Sequence, residues 1–424
     1  MNPTGIKQPM FSKIKLATCI VLSVLGMQFL PAVCLSQQTA TNEYEIPGIL
    51  KASEILPPAL LEGEHYKVID EVYTYDFTNR FTIVSSFGPF VVTGKDMLRI
   101  RIQEIIAIAA LQEIKKTKAF RDAVGQAEMS PLRGARNLVV HPADTVTGIP
   151  KGVGRLLEPE DDMFTGNIKY RVTEEMAGFF KLKQQHAHIL GVDIYSTNKV
   201  LQKELNGVTW VKFASGMSIK LNMETFRGIY NAAFFTDNDD EFVQNINQLV
   251  LDNTPENLGK LNRKILKQMG TREDVIETFL NHSIFSPRHQ TFIVHALAGI
   301  EQAKNRDQFI IQANYAADEE GALLFQRIAE MMYNYHKNVV AISEIIPVMK
   351  VVVGYTEEQS IVVTLPIDYA YWTERADRGT DSLSSVGYIL DRPVKSMKII
   401  IPGKLSSRTK LELTAKGIET EEDM

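Results

Sequence analysis

The chain has 424 residues, of which 45% are hydrophobic and 23% charged, a net charge of −5 and only two cysteines. That balance excludes disordered, collagen-like and low-complexity chains, and two thiols exclude a disulfide scaffold or a multi-thiolate zinc site. At about 100–200 residues per domain, the length suits two or three domains, each able to bury a core.

Residues 1–36 read as a signal peptide. Lys7, Lys13 and Lys15 precede the apolar run Leu16 to Leu35, no acidic residue lies in the stretch, and small residues stand at Cys34 and Ser36. The expected cut follows Ser36, with a second option after Cys34. The alternative is an inner-membrane anchor over Leu16–Leu35, because about 20 apolar residues span a bilayer. Gln28 and Pro31 interrupt the run and favour cleavage. Pro31-Ala32-Val33 before Cys34 is a poor lipidation box. Loss of the segment removes Cys19, Cys34 and three lysines, leaving a cysteine-free chain of net charge −8. Such a chain offers no thiol nucleophile and no pull toward nucleic acid. After Leu35 no run is apolar enough to span a membrane, so the rest is expected to be soluble, with membrane contact only through an uncleaved N-terminus.

Residues 37–160 form an N-terminal α+β region. Residues 37–63 carry Pro47, Pro57 and Pro58 and read as a surface linker. Apolar residues two apart (Tyr66 and Val68, then Tyr73, Tyr75 and Phe77), followed by Phe81–Ser85 and Phe90–Thr93, predict an antiparallel meander over 65–93. Residues 96–118 predict a helix apolar over more than half its circumference, hence buried between layers. Ser130-Pro131 signals a further short helix. Residues 161–338 form an α-helical domain, with helices expected almost throughout from Thr173 to Asn338. Glu174–Leu190 closes at Gly191, Asp193–Asn198 caps the next helix, Thr254-Pro255, Thr271–Asp274 and Ser286-Pro287 are helix starts, and one long helix runs from Arg306 to Lys337. From 339 to 424 the chain returns to α+β. Val348–Gly354 and Ser360–Leu365 predict a hairpin, Val394–Pro402 a third strand, Ser407 a helix closed by Gly417, and Ile418–Thr420 an edge strand. The fold class expected is therefore α+β, with small antiparallel strand regions near both ends flanking a large helical centre.

Chemical motifs are mostly missing. Gly216-Met217-Ser218 lacks the second glycine of a nucleophile elbow, and no His-Glu-x-x-His occurs. Asp237–Glu241 begins like a calcium loop, but Phe242 and Gln248 stand where glycine and a bidentate Glu are needed, so a solvated helix start is preferred. Gly148, Gly152 and Gly154 lie in the segment His141–Arg155 without a Gly-Lys-Ser/Thr ending, which favours a turn over a phosphate loop. No cofactor and no metal are expected. His186 and His188, followed by Asp193 and Tyr195, are secondary candidates. On a helix, however, residues two apart point about 200° away from each other, which favours one surface and one packed histidine.

The densest mix of aromatics and charges is Asp368–Arg378. Asp368, Tyr371, Trp372, Glu374 and Arg375 form the candidate cluster, since Tyr, Trp and Arg combine a broad apolar plane with a polar edge, as an interface or sugar-binding face requires. Asp368 and Glu374 also suit an acid–base pair. The competing reading is a loop tethered by its aromatics, with Arg375 and Arg378 paired to Glu374, Asp377 or Asp381. Phe87–Phe90, His141–Arg155, Gly191–Asn198 and the helix Leu405–Gly417 resemble stretches of exported bacterial proteins of unknown function, a resemblance that implies a bacterial envelope setting and no particular activity. The expectation is an exported envelope protein, periplasmic or secreted, acting as a non-enzymatic binding or structural module on an envelope partner or ligand. The alternative is an exported hydrolase whose carboxylate or histidine site is assembled from distant residues.

Overall fold

A computed structural model describes residues 43–75, 77–130, 174–218, 241–387 and 392–423. The signal segment, the helix expected after Ser130, the glycine-bearing segment 141–155, the acidic run at 158–162 and residues 237–240 lie outside them. The chain is α+β.

The N-terminal sheet obeys its two-residue period. Strands β1 (Ile49–Lys51), β2 (Glu62–Gly63), β3 (Tyr66–Val68), β4 (Glu71–Tyr75), β5 (Thr78–Ser85) and β6 (Gly88–Thr93) pair antiparallel. The long β5 serves β4 with its first half, β3 with its second, and β6 along its other edge. Val72, Phe81, Ile83 and Val92 point inward onto Leu98, Ile102 and Ile105 of helix α3 (Lys95–Lys116). The segment read as a linker is part of this layer. It holds β1 and two one-turn helices, α1 (Ala52–Ile55) and α2 (Pro58–Leu61), with Ala52 and Leu60 fully buried. Backbone pairing decides that outcome: the N–H of Ala52 donates to the Asp70 carbonyl at 2.8 Å, and the N–H of Ser53 to the Asp70 carboxylate at 2.9 Å.

Helix α3 is buried along most of its length and belongs to two cores. Its first half covers the sheet, and Ala107, Ile108 and Leu111 pack among α4 (Lys118–Met129), α5 (Glu174–Leu190) and α6 (Lys199–Ser215). Thr117 separates α3 from α4 by capping the Phe120 N–H. Gly191, at φ 64°, closes α5, and the Asn198 side chain accepts the Val200 and Leu201 N–H groups to open α6. Helices α7 (Glu241–Asp252), α8 (Pro255–Gln268), α9 (Glu273–Leu280) and α10 (Pro287–Gly299) follow, α8 and α10 opened by Thr254 and Ser286 as caps. The single helix expected over 306–337 is two, α11 (Arg306–Ala313) and α12 (Glu319–Asn338). Asp318 starts the second by accepting the Gly321 N–H at 2.8 Å, and a cap is an end as well as a beginning.

The C-terminal sheet is mixed, in the order β13 (Ile418–Glu421), β11 (Ser396–Ile400), β9 (Ser360–Thr364), β8 (Val351–Thr356), β7 (Ile342–Val348), while β10 (Tyr369–Ala370) and β12 (Lys404–Leu405) pair parallel as a separate two-stranded sheet. The run Val348–Gly354 is not one strand. Met349, at φ 54°, turns the chain so that Val348 pairs with Val351. Strands β9, β11 and β13 are parallel, which needs crossovers, and α13 (Glu374–Ser384) and α14 (Ser407–Ala415) occupy them. Val352 and Val362 face the helical core, while Val353, Ile361 and Val363 face Trp372, Leu383 and Leu413. A sheet covered on both sides explains the unbroken β-branched runs.

Candidate functional site

The sequence-derived cluster sits at a structural joint. Asp368 is 7% exposed, and its two carboxylate oxygens accept the backbone N–H of Asn79 at 2.8 Å and of Lys95 at 3.0 Å. It thereby ties the C-terminal region to strand β5 and to the start of α3. Burial pushes its carboxyl up to about 6 against those two hydrogen bonds. Trp372 is 3% exposed, in the core under the C-terminal sheet, with the Lys416 ammonium 5.6 Å above its ring. Its backbone N–H donates to the Glu45 carboxylate. Tyr371 is half-buried and packs against Tyr369, with ring centres 4.8 Å apart and planes tilted by 45°. Glu374 and Arg375 are exposed on the first turn of α13, Glu374 pairing loosely with Arg378 at 3.8 Å. Asp377 and Asp381 both hold Lys416, at 2.8 and 2.5 Å. None of the five candidate residues lines the cleft that His188 borders.

The histidine pair divides. His186 is fully buried, with Nδ1 2.9 Å from the Thr209 hydroxyl and Nε2 3.3 Å from the Lys212 ammonium, and burial lowers its pKa to about 4. His188, one face over, is exposed and borders a cleft that Asp193 also lines. Tyr195 is buried, and burial raises its hydroxyl pKa.

That cleft is where chemistry converges. Its volume is about 460 Å³, inside the ~300–1,000 Å³ range of small-molecule pockets. Helices α3 and α12 form two of its walls, and the end of α5, the 191–196 loop, α7 and the first turns of α10 complete it. Asp96 of α3 pairs with Arg327 of α12 at 3.2 Å, and Arg101 of α3 with Glu319 of α12 at 3.8 Å. From the first pair to the second the contact advances along α3, from Asp96 to Arg101, and retreats along α12, from Arg327 to Glu319, so the two helices run in opposite directions where they meet.

A buried glutamate stands toward each end. Glu104 is 1% exposed. Arg101 lies 2.6 Å from it, the Ser196 hydroxyl donates to one oxygen, and the Asn198 amide donates to the other at 2.9 Å. Glu330 is 4% exposed and receives Arg327 at 2.7 Å and the Gln326 amide at 2.8 Å. Burial raises both carboxyl pKa values, and the adjacent arginine opposes it in each case. Arg288 lies over the Phe292 ring at 4.5 Å and bonds the Asn247 amide oxygen at 3.2 Å. Among the described residues, no three His, Cys, Asp or Glu side chains gather as a metal site requires.

The sequence did carry a signal for this site. Glu104 interrupts the apolar run Ile102–Leu111 on the very stripe that meets the core, and Glu330 sits between Ala329 and Met331 in the same way. An acidic side chain on a buried stripe is rarely tolerated unless paired. Which arginine pairs with it is invisible until the helices are placed. No protein-family model matches the chain, and no curated protein or solved structure matches it.

Proposed function

We propose that the protein is an exported bacterial envelope protein, periplasmic or secreted, that binds a small polar ligand in the cleft between α3 and α12. The observation that carries the binding half is the pair of buried glutamates, each held by its own arginine, on the walls of one cavity. Desolvating a carboxylate and a guanidinium costs several kcal/mol per ion, and an apolar replacement of such a pair is often neutral or stabilising. A fold that keeps two such pairs facing one cleft has them oriented in advance for a guest. The export half rests on the lysines and apolar run of residues 1–36. Among the described residues no helix is long and apolar enough to cross a membrane.

Intact mass of the native product from separated soluble and membrane fractions tests export. A soluble species lacking about 36 residues, the length of the sequence's signal-like segment, supports it. An uncleaved, membrane-bound species replaces export with anchoring at Leu16–Leu35. Binding is tested by thermal unfolding with a panel of small molecules against the wild type and Glu330→Gln. Protection that the variant loses supports the cleft, because a ligand at 100 times its Kd adds about 2.7 kcal/mol to stability.

A hydrolytic reading draws on the same residues, since a carboxyl whose pKa is raised by burial in a cavity is how a general acid is prepared. It requires turnover of glycosidic or ester model substrates that Glu104→Gln or Glu330→Gln abolishes.

A further inference from the structure

Arg288, on the first turn of α10, is half-buried on the wall of the cleft, and among the described residues it forms no ion pair. The other two arginines of the lining, Arg99 and Arg327, each hold a carboxylate. Phe292 beneath the guanidinium and the Asn247 amide oxygen fix its orientation and use one of its five N–H groups. The rest of its N–H edge is open to solvent. A guanidinium fixed in this way receives a planar monoanion through two parallel hydrogen bonds.

A carboxylate is equally open at the other end of the cleft. Glu319 and Glu330 both line it, eleven residues apart on α12, which is about 16 Å at the rise of an α-helix. Arg288 belongs to the Glu330 end, where its charge helps to hold that carboxyl ionised. Towards Glu319 cations are short: Arg99, Arg101 and Arg327 are shared among four carboxylates, Asp96, Glu104, Glu319 and Glu330. Arg101 gives its close contact to Glu104 at 2.6 Å and stays 3.8 Å from Glu319, beyond hydrogen-bond length. That contact and the Thr197 hydroxyl both fall on Glu319 Oε2, which leaves Oε1 open to the cleft.

From these two open groups we infer that the cleft takes a short peptide with free termini, its C-terminal carboxylate on Arg288 and its N-terminal ammonium at Glu319, an inference that rests on the binding reading above. An extended chain spans at most ~3.3–3.6 Å per residue, so about two to four residues suit the length of the cleft. A diamine leaves Arg288 unanswered, and a dicarboxylate leaves Glu319 unanswered. A single amino acid carries both charges on one carbon, too close together to reach both ends. A phosphate monoester brings a second negative charge that one guanidinium does not neutralise. Leu323 and Phe292 on the lining offer apolar surface to the peptide's side chains.

The test is thermal unfolding of the full-length protein with free di-, tri- and tetrapeptides bearing apolar, aromatic and charged side chains, beside putrescine, succinate and a neutral disaccharide. The most protective peptide is then titrated calorimetrically in three forms: free, C-terminally amidated and N-acetylated. The expected result is that the free peptide binds and each capped form binds about tenfold or more weakly, the loss of one charge-assisted contact. Arg288→Gln should weaken the free peptide about tenfold and leave the affinity of the amide unchanged, and Glu319→Gln should do the same with the N-acetylated form. Damage to the fold alone would weaken all three forms alike. The capped peptides carry the test by themselves if either variant fails to fold. An amide that binds as tightly as the free peptide overturns the Arg288 contact, and an N-acetylated peptide that does so overturns the Glu319 contact. Protection by putrescine, succinate or the disaccharide but by no peptide, removed by Glu330→Gln, overturns the peptide class and leaves the cleft as a binding site. If no probe of any kind protects, the peptide class and the binding reading both fall.

Discussion

The Asp96 carboxylate and the Arg327 guanidinium stand 3.2 Å apart, joining two helices that come from chain positions more than 200 residues away from each other. Arg327 also reaches Glu330 at 2.7 Å, so one cation serves an acid on the opposite wall and a buried acid on its own. Arg327→Met removes both contacts and leaves Glu330 desolvated without its guanidinium. Denaturant unfolding should show a loss of about 3 kcal/mol or more. The double variant Arg327→Met/Glu330→Gln should regain most of it, since the stranded charge is then gone. A double variant as unstable as the single would mean that the Asp96 link, not the buried charge, dominates.

Asp368 gives the fold an uncommon pH response. Its native carboxyl titrates near 6 while an unfolded aspartate titrates near 3.8, so the native state holds the proton more tightly. Its contribution to stability is therefore fully present below about 4 and is lost as pH rises through about 6, by up to about 3 kcal/mol. An ion-paired carboxylate behaves in the opposite way. The difference in unfolding free energy between wild type and Asp368→Asn, followed from pH 4 to pH 8, isolates this group. A difference that stays flat across that range contradicts the assignment.

Two glycines should respond to the same substitution with opposite signs. A Cβ on Gly403 would run into the backbone carbonyl oxygens of Ile367 and Asp368, which cannot swing aside as a side chain does. Gly403→Ala should cost about 2 kcal/mol or more. Gly379 lies within α13 with nothing within 4 Å of the added carbon. Gly379→Ala should gain about 0.5–1 kcal/mol from helix propensity and reduced unfolded-state entropy. A melting temperature that does not fall in Gly403→Ala would refute the geometry around Gly403, and one that does not rise in Gly379→Ala would refute the open space beside Gly379.

Ile105 is fully buried between the N-terminal sheet and the helical core. Ile105→Asp places an unpaired carboxylate there, at about 4 kcal/mol or more. An unchanged melting temperature would show that α3 is not sandwiched between layers.

Sequence alone was enough for much of what local rules govern. Tyr73, Tyr75 and Phe77, two apart, marked the strand over 72–77, although Val72 and Thr74 are the residues that turn inward and Tyr73 and Tyr75 are exposed. The apolar circumference of 96–118 marked a buried helix, and Thr254, Ser286, Asn198, Gly191 and Gly417 marked helix ends through side-chain caps or positive φ. These signals are legible because the residue and the backbone it satisfies lie within a few positions of each other. The same reasoning went astray where a local cap competed with a long apolar stripe, as at Asp318, or where a tight turn hid inside a β-branched run, as at Met349.

Only the tertiary structure decided what the polar residues do. Asp368 and Trp372 carry the composition of a binding face, yet their partners, Asn79, Lys95 and Glu45, come from the other end of the chain and consume them in joining the two α+β regions. Gln103, Glu104, Gln326 and Glu330 read locally as interruptions in buried helices, and become one cleft because α3 and α12 pack antiparallel across it. Hydrophobic periodicity is a property of neighbours along the chain. A hydrogen-bond partner two hundred residues away is not, and for a buried charge that partner is what determines whether the group is a cost, a strut or a site.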